Sequence, residues 1–290
     1  YWPFEFSMST FIVQHQVLGK QNWFTKQYDH PKRTCLEVRQ GNGVEEPSLT
    51  YTTAYQTEKD SFYVTVGLWQ AGQNRIFIDC NVQSPADMLS PGRIGMTAIL
   101  PVRFTAMKWY GKGPLETYPD RQCGGRMGVY SEDVRNQPFY LRPQEYGLHT
   151  ESRSMRLTDP DRADFVRFEA ACPMAMSAVP YSDLQLWNAR HPPELPAPEA
   201  LYVHLDYTHR GLGNSSCGPD VLPTYRIDDR PCRFGFALEA GLGEREDNPF
   251  GPIPEEIPAY HPWKAVGEQD RTPSYRDPSD PDQRSNAGMV

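Results

Sequence analysis

Three histidines and one glutamate are the residues of this chain best suited to acid–base chemistry, namely Glu145, His149, His204 and His209. Histidine titrates near neutral pH, and a carboxylate beside it can orient the ring or share its proton. In ALYVHLDYT, however, His204 alternates with Val203 and Leu205, which predicts a polar position on one face of a strand rather than a catalytic base. His209 lies just before a glycine-rich loop and remains a candidate.

Carboxylates offer a second kind of chemistry. Glu116, Asp120 and Glu145 could supply the two carboxyl groups of a glycosidase if the fold brought two of them roughly 5 to 9 Å apart. The sequence contains no nucleophile elbow, phosphate-binding loop or metal-ligand spacing. No complete catalytic apparatus is therefore predicted within the chain.

The loop GLGNSSCGPDVLPTY, residues 211 to 225, places a single cysteine among glycines and prolines, between two strand-like runs. Binding groups tend to lie on loops that a rigid scaffold holds in place, whereas a free cysteine is more often a small buried apolar residue. Both interpretations of Cys217, a contact residue and a buried structural residue, stay open on these grounds.

Six cysteines, at positions 35, 80, 123, 172, 217 and 232, are scattered without CxxC spacing. A zinc site usually presents close pairs of cysteines, and a disulfide scaffold is shorter and richer in cysteine. We therefore predict reduced thiols and a cytoplasmic location.

The main structural signal along the chain is alternation with a period of two. In SFYVTVGLW, Phe62, Val64 and Val66 fall on one side of the predicted strand, with Tyr63 and Thr65 on the other. Similar short runs recur up to about residue 240, bounded by Gly, Pro, Asn or Asp. One short helix is predicted in SDLQLWNAR, where Ser182 and Gln185 have the spacing of a capping box. The expected fold is all-β and antiparallel, without the alternation of strands and helices that an α/β barrel requires.

The composition changes near residue 241. The last fifty residues hold eight prolines and ten acidic against five basic residues, with few apolar side chains. Such a segment cannot offset the entropy of its own ordering. We predict a β-domain over residues 1–240 and a disordered tail over 241–290.

Charge and hydropathy argue against two classes of partner, nucleic acid and membrane. A net charge of −8 disfavours nucleic acid, whose binding requires clustered Lys and Arg. No apolar run reaches the eighteen or so residues of a membrane helix. The chain starts at Tyr1 without the features of a signal peptide, and we expect it to be a piece of something longer.

Four ordered motifs carry a family resemblance: WYGKGPLETYPDR (109 to 121), PFYLRPQEYGLHTESR (138 to 153), YSDLQLWNARHPPEL (181 to 195) and LDYTHRGLGNSSCGPDVLPTY (205 to 225). Together they resemble the C-terminal domain of large β-galactosidases of glycoside hydrolase family two, which some bacteria make as a separate small chain. The resemblance implies an antiparallel β-supersandwich of the galactose mutarotase type. The FWRAPTDND run that opens the family's small chain is not found, which leaves open whether the first strands of the sandwich are present.

The resemblance also assigns a role to the glycine-rich loop. In the family this loop reaches the mouth of the active site, where a tryptophan, or a cysteine in some branches, contacts the sugar. Cys217 falls on that position, and the implied substrate-binding residues are Cys217, Ser216, Asn214 and His209. Gly211, Gly213, Gly218 and Pro219 would shape the loop. A thiol would act there as a small apolar contact and not as a nucleophile.

By the same resemblance, the catalytic carboxylates lie in a barrel that this chain does not contain. The expected partners are a galactoside substrate and the barrel-containing portion or large subunit of a β-galactosidase. No cofactor is expected in this chain, whereas magnesium and sodium are expected in the catalytic part of the parent enzyme. Two alternatives remain, a stand-alone aldose 1-epimerase that uses histidine and glutamate, and a non-catalytic carbohydrate-binding module.

Overall fold

The computed structural model describes residues 4–7, 31–57, 61–71, 73–84, 91–138, 140–212, 221–227 and 231–243, with only the backbone strand described for 4–7. Most of the predicted tail, from residue 244 on, lies outside these residues, as do loop residues 213–220. The domain boundary near residue 241 therefore stays a prediction.

Twelve antiparallel strands make up most of the described chain. They are β1 (Phe4–Ser7), β2 (Lys32–Gln40), β3 (Leu49–Gln56), β4 (Ser61–Gln70), β5 (Arg75–Gln83), β6 (Arg93–Pro101), β7 (Ala106–Gly113), β8 (Arg126–Asp133), β9 (His149–Thr158), β10 (Phe165–Val179), β11 (Ala200–His209) and β12 (Cys232–Gly241). The period-two pattern is seen directly in β4, where Phe62, Val64 and Val66 are buried and Tyr63 is exposed. The predicted all-β antiparallel fold is confirmed.

Strand β10 joins the parts of the sheet. Its first half, Phe165 to Ala170, pairs with β12, and its second half, Ala175 to Val179, pairs with β11. The sheet order is β1-β6-β11-β10-β12-β5-β4-β3-β2, while β9 pairs with both β10 and β7, and β7 pairs with β8. Because β10 changes neighbours along its length, the sheet divides into two parts, β1-β6-β11 and β12-β5-β4-β3-β2. We call these two parts the arms of the sheet, and they can pack against each other.

The main core lies between these arms. The Cys80 thiol of β5 lies 3.1 Å from the Met96 sulfur of β6, and the rings of Tyr207 in β11 and Phe234 in β12 stack at 5.5 Å. These contacts join strands that are not neighbours in the sheet, and the surrounding side chains form one large buried cluster. The arms therefore form a sandwich, and its interior supplies most of the hydrophobic stabilisation.

One short α-helix, α1 (Asp183–Asn188), covers part of the outer face of the sheet. The Gln185 amide donates to the Ser182 hydroxyl and the Gln185 side chain accepts from the Ser182 amide, which is the predicted capping box. Leu186 of the helix packs with Tyr146 and Val179, and Tyr202 of β11 lies against this group. Residues on the outer face of β11 are consequently buried under α1 and the segment that contains Tyr146.

Within the described residues, no helix has the length and apolar character needed to span a membrane.

Candidate functional site: a buried charge cluster below the glycine-rich loop

The pairing of β6 with β11 brings the candidate residues together at the end of β11. His209 lies opposite Arg93, and Asp206 lies opposite Gly95. A side chain at residue 95 would stand 2.5 Å from the Asp206 carboxylate, so only glycine leaves space for this acid. The register thus places a histidine, an aspartate and an arginine directly below the start of the loop at 211.

Arg93 is the centre of the cluster and is fully buried. Its Nη2 forms an ion pair with Glu145 Oε1, and its Nε lies 3.6 Å from Asp206 Oδ2. Its Nη1 lies 4.0 Å from Asp183 Oδ2 at the start of α1. One guanidinium therefore faces three carboxyl groups from three different parts of the chain.

The three carboxyl groups have different proton affinities. Burial would raise the pKa of Glu145, but Arg93 and then His209 outweigh it and lower the pKa to about 2. For Asp206 burial prevails over Arg93 and raises the pKa to about 7. Burial also raises the pKa of Asp183, to about 6. Arg93 thus favours the ionised form of Glu145, whereas burial favours the protonated form of the two aspartates.

His209 lies in this cluster with both ring nitrogens engaged. The Gly211 amide donates to Nδ1 at 2.9 Å, and Nε2 lies 2.9 Å from Glu145 Oε1. An atom that accepts from an N–H carries no proton, so the neutral ring holds its hydrogen on Nε2 and donates it to Glu145. Its side chain is fully buried. Both ring nitrogens of His209 are therefore already engaged within the chain.

His204 is also held neutral. Its Nδ1 lies 2.6 Å from Arg93 Nη1 and therefore accepts from the guanidinium. Burial, followed by the charge of Arg93, lowers its pKa well below the ordinary value. The predicted alternation holds on one side, because Val203 and Leu205 lie in the main core. The opposite face is not solvated as a polar strand face would be, because α1 and Tyr146 cover it.

A second side chain, that of Asp120, also holds the start of the loop. Asp120 Oδ1 accepts from the Leu212 amide at 3.2 Å. Gly211 has a φ of +81°, and a Cβ there would lie 2.5 Å from Asp120 Oδ1. Leu212 packs on Tyr118, Leu148 and Ala175. The chain therefore leaves β11 in one specified direction.

The remaining acid–base candidates lie elsewhere. His149 in β9 is buried and stacks on Trp109 with ring centroids 3.8 Å apart. Glu116 accepts from the Tyr140 hydroxyl at 2.5 Å and from the Gly147 amide at 2.7 Å, and it also pairs with Arg121. Each of these groups has a structural partner, and neither belongs to the Arg93 cluster.

Sequence reasoning identified Glu145 and His209 but missed Arg93, Asp183 and Asp206. For Arg93 and Asp206, the local signal was a charged residue in each of two strand sequences rich in apolar side chains, RIGMTAILP and ALYVHLDYT. Such residues are ordinarily assigned to the solvated face of a strand. Only the pairing of β6 with β11 shows that they share a buried site.

The predicted loop residues Gly213, Asn214, Ser216, Cys217, Gly218 and Pro219 lie outside the described residues. Five other cysteines are free, namely Cys35, Cys80, Cys123, Cys172 and Cys232. In the described ranges, no group of three or more His, Cys, Asp or Glu side chains is arranged to hold a metal ion.

Glu145 and His209 are arranged for positioning and not for proton transfer. The Glu145 carboxylate is a very weak base, and its partner His209 is fixed in one tautomer by two hydrogen bonds. Both side chains are almost completely buried. The cluster instead ties β6, β11, α1 and the 143–148 segment together next to the start of the loop at Gly211.

Comparison with known proteins assigns the family. Residues 13–238 match the family described as the β-galactosidase small chain, and the chain belongs to this family. A β-galactosidase of Bifidobacterium adolescentis is 31% identical over 71% of this chain and 20% of its own length. One from Arthrobacter sp. strain B7 is 33% identical over 55% of this chain and 16% of its own length. The chain thus spans about a fifth or less of the length of these relatives.

The solved structures that match the chain are more distant in sequence. A protein of Escherichia coli K12 assigned as an aldose 1-epimerase has 9% identity and a TM-score of 0.42, over 79% of this chain and 75% of its own. A galactose mutarotase related enzyme of Lactobacillus acidophilus has 9% identity and a TM-score of 0.36, over 73% of each chain. Similarity at this level assigns neither a ligand nor an activity to the present chain.

Proposed function

We propose that this chain is the C-terminal module or small subunit of a β-galactosidase, and that it completes the sugar-binding site for hydrolysis of terminal β-D-galactosides such as lactose. The observation that carries the proposal is the match of residues 13–238 to the β-galactosidase small-chain family. The fixed exit of the glycine-rich loop at Gly211 and Leu212 supports it, because a loop that contacts a substrate must be held in a defined direction.

Two carboxyl groups of the catalytic portion would carry out the retaining reaction, one as nucleophile and the other as acid and then base. Magnesium and sodium would also be bound in that portion. The contribution of the present chain is to place the loop at the mouth of the site. Cys217 would provide a small apolar contact to the sugar, with Asn214 and Ser216 as hydrogen-bonding neighbours.

A stand-alone epimerase is less well supported. Such an enzyme needs a base and an acid that reach the sugar. Glu145 is paired with Arg93, which with His209 lowers its pKa to about 2, and the His209 ring is enclosed with both nitrogens bonded. Glu145 therefore lacks the access and the proton affinity that ring opening requires, and the His209 ring lacks the access.

The test is reconstitution with a β-galactosidase large chain that carries the barrel. The present chain alone should not hydrolyse a nitrophenyl β-D-galactoside above buffer. When it is added to the large chain, turnover should rise with its concentration and saturate near equal stoichiometry. Turnover by the present chain alone, or a large chain whose activity is indifferent to it, would contradict the proposal.

The loop contact is tested in the reconstituted enzyme by Cys217→Trp. An indole stacks on the face of a sugar, so the variant should change the affinity for a galactoside inhibitor while the melting temperature of the chain stays close to the parent value. A buried structural cysteine predicts the reverse, because overpacking costs roughly 1 to 3 kcal/mol. Cys123→Trp, at an exposed position, controls for the added indole.

A further inference from the structure

Two side chains hold the first two amides of the loop. The Gly211 amide donates to His209 Nδ1 at 2.9 Å, and the Leu212 amide donates to Asp120 Oδ1 at 3.2 Å. These hydrogen bonds are made to consecutive residues by groups 89 positions apart in sequence. We call this pair of contacts the loop clamp.

Packing leaves the clamp little freedom. Gly211 has a φ of +81°, and the Asp120 carboxylate lies where its Cβ would be. Leu212 packs on the buried side chains of Tyr118 and Leu148, and at the far end of the loop Val221 is buried. The described residues on either side of 213–220, Leu212 and Val221, are therefore both packed in the domain.

Glu145 determines whether His209 can take part. Nδ1 accepts from Gly211 only while it has no proton, and Glu145 favours that tautomer by accepting the hydrogen on Nε2. The tautomer preference is an electrostatic one, since Arg93 keeps Glu145 negatively charged through their buried ion pair. The series of contacts Arg93–Glu145–His209–Gly211 thus connects β6 to the start of the loop and fixes the orientation of the Gly211 amide.

We propose that His209 and Asp120 are positioning residues for β-galactoside hydrolysis, and that Glu145 acts by fixing the His209 tautomer. This inference rests on the proposed function, because it assigns the clamp a task only if the loop contacts the sugar. It reassigns His209 from a sugar contact to a residue that acts through the backbone of Gly211.

Two pairs of matched variants distinguish the loss of a clamp hydrogen bond from a general loss of stability. His209→Asn puts an amide oxygen close to the position of Nδ1 and can still accept from the amide two residues on. His209→Gln instead reproduces the donor at Nε2 and loses the acceptor. In the same way Asp120→Asn keeps an acceptor oxygen, whereas Asp120→Ala removes it.

The first measurement uses the full chain without a partner. Hydrogen exchange of the Gly211 and Leu212 amides should accelerate by about tenfold or more in His209→Gln and Asp120→Ala, since each loses the bond that protects an amide. His209→Asn and Asp120→Asn should exchange within about threefold of the parent. Equal exchange in the two His209 variants would overturn the clamp.

The second measurement is turnover of a nitrophenyl β-D-galactoside by the reconstituted enzyme, at a saturating ratio of the two chains. His209→Gln and Asp120→Ala should lower kcat/KM by about tenfold or more, because small misplacements of a binding group are costly. The loss should lie mainly in KM, and the Asn variants should restore the parent values. A purely structural role would instead reduce the amount of assembled enzyme and leave KM unchanged.

The outcomes distinguish the two proposals. Altered exchange with unchanged KM would overturn the positioning role and leave the proposed function standing. No turnover by the parent enzyme with any large chain would overturn the proposed function, and with it the catalytic task of the clamp. The exchange data would then still decide whether His209 and Asp120 hold the two amides.

Discussion

At Gly211 the backbone and a neighbouring side chain both require glycine. Its φ of +81° lies in the left-handed region, and the Asp120 carboxylate fills the space that a Cβ would need. Side chains other than hydrogen are disfavoured there on both grounds. The residue type is therefore fixed by geometry as well as by any role in the loop.

Gly211→Ala should destabilise the chain by about 1 to 3 kcal/mol, because the new methyl group meets Asp120 and the backbone is strained. Gly124→Ala is the matched control, since nothing lies within 4 Å of the Cβ it would carry. Urea unfolding of the two variants and the parent measures the difference. A Gly211→Ala chain as stable as the Gly124→Ala chain would contradict the geometry of the loop exit.

At the scale of elements, Arg93 joins parts of the chain that the backbone ladder does not connect. From β6 it faces Glu145 in the 143–148 segment, Asp183 at the start of α1 and Asp206 in β11. A buried charge of this kind adds little to stability compared with a well-packed apolar group. Its removal, however, leaves its partners as buried charges without a counter-ion. The arginine is thus needed mainly because the carboxylates are there.

Arg93→Met should lower the free energy of unfolding by about 3 to 5 kcal/mol, since Glu145 would keep a buried charge without a cation. Arg39→Met is the control. Arg39 pairs with Glu37 on the exposed strand β2 at 3.2 Å, and such pairs contribute about 1 kcal/mol at most. If urea denaturation finds equal losses in the two variants, Arg93 is not the cation that compensates the buried charge of Glu145.

The elements themselves were predictable because their signals are local. Alternation predicted β4, and the spacing of Ser182 and Gln185 predicted the start of α1, as both patterns reflect contacts within a few residues. The buried cluster was not predictable, because Arg93 and His204 are 111 positions apart and meet only through the pairing of β6 with β11. Burial of His204 also depends on α1 folding over β11, which no strand pattern indicates.

At the scale of the whole molecule, the cluster makes stability depend on pH. Burial raises the pKa of Asp206 in the folded chain to about 7 from an ordinary value of 3.8. Between those values the folded chain holds a proton on Asp206 that the unfolded chain has released. Stability from this group is therefore full below about pH 4 and falls as the pH rises towards 7. The raised pKa of Asp183 also makes stability fall as the pH rises. The lowered pKa of His204 has the opposite effect, because below the ordinary pKa of histidine it makes stability rise with pH.

Asp206→Asn isolates the contribution of Asp206, because asparagine is neutral at every pH. The difference in unfolding free energy, parent minus variant, should fall from about pH 5 to about pH 7 by up to about 1.4 kcal/mol per pH unit, and then level off near pH 8. His204 is present in both chains, so to a first approximation its titration cancels in the difference. Urea unfolding at several pH values across this range gives the measurement.

Asp133→Asn is the control for the pH experiment. A hydrogen bond from Arg135 lowers the pKa of Asp133, so its carboxylate stabilises the fold above the ordinary value and loses that effect only as the pH falls below it. The parent-minus-variant difference should thus be flat between about pH 5 and about pH 8. A sloping difference for Asp206→Asn beside a flat one for Asp133→Asn is the expected result, because only Asp206 is buried beside Arg93 without a hydrogen-bond donor from the described residues. Two flat differences would mean that Asp206 is ionised throughout, with Arg93 outweighing its burial.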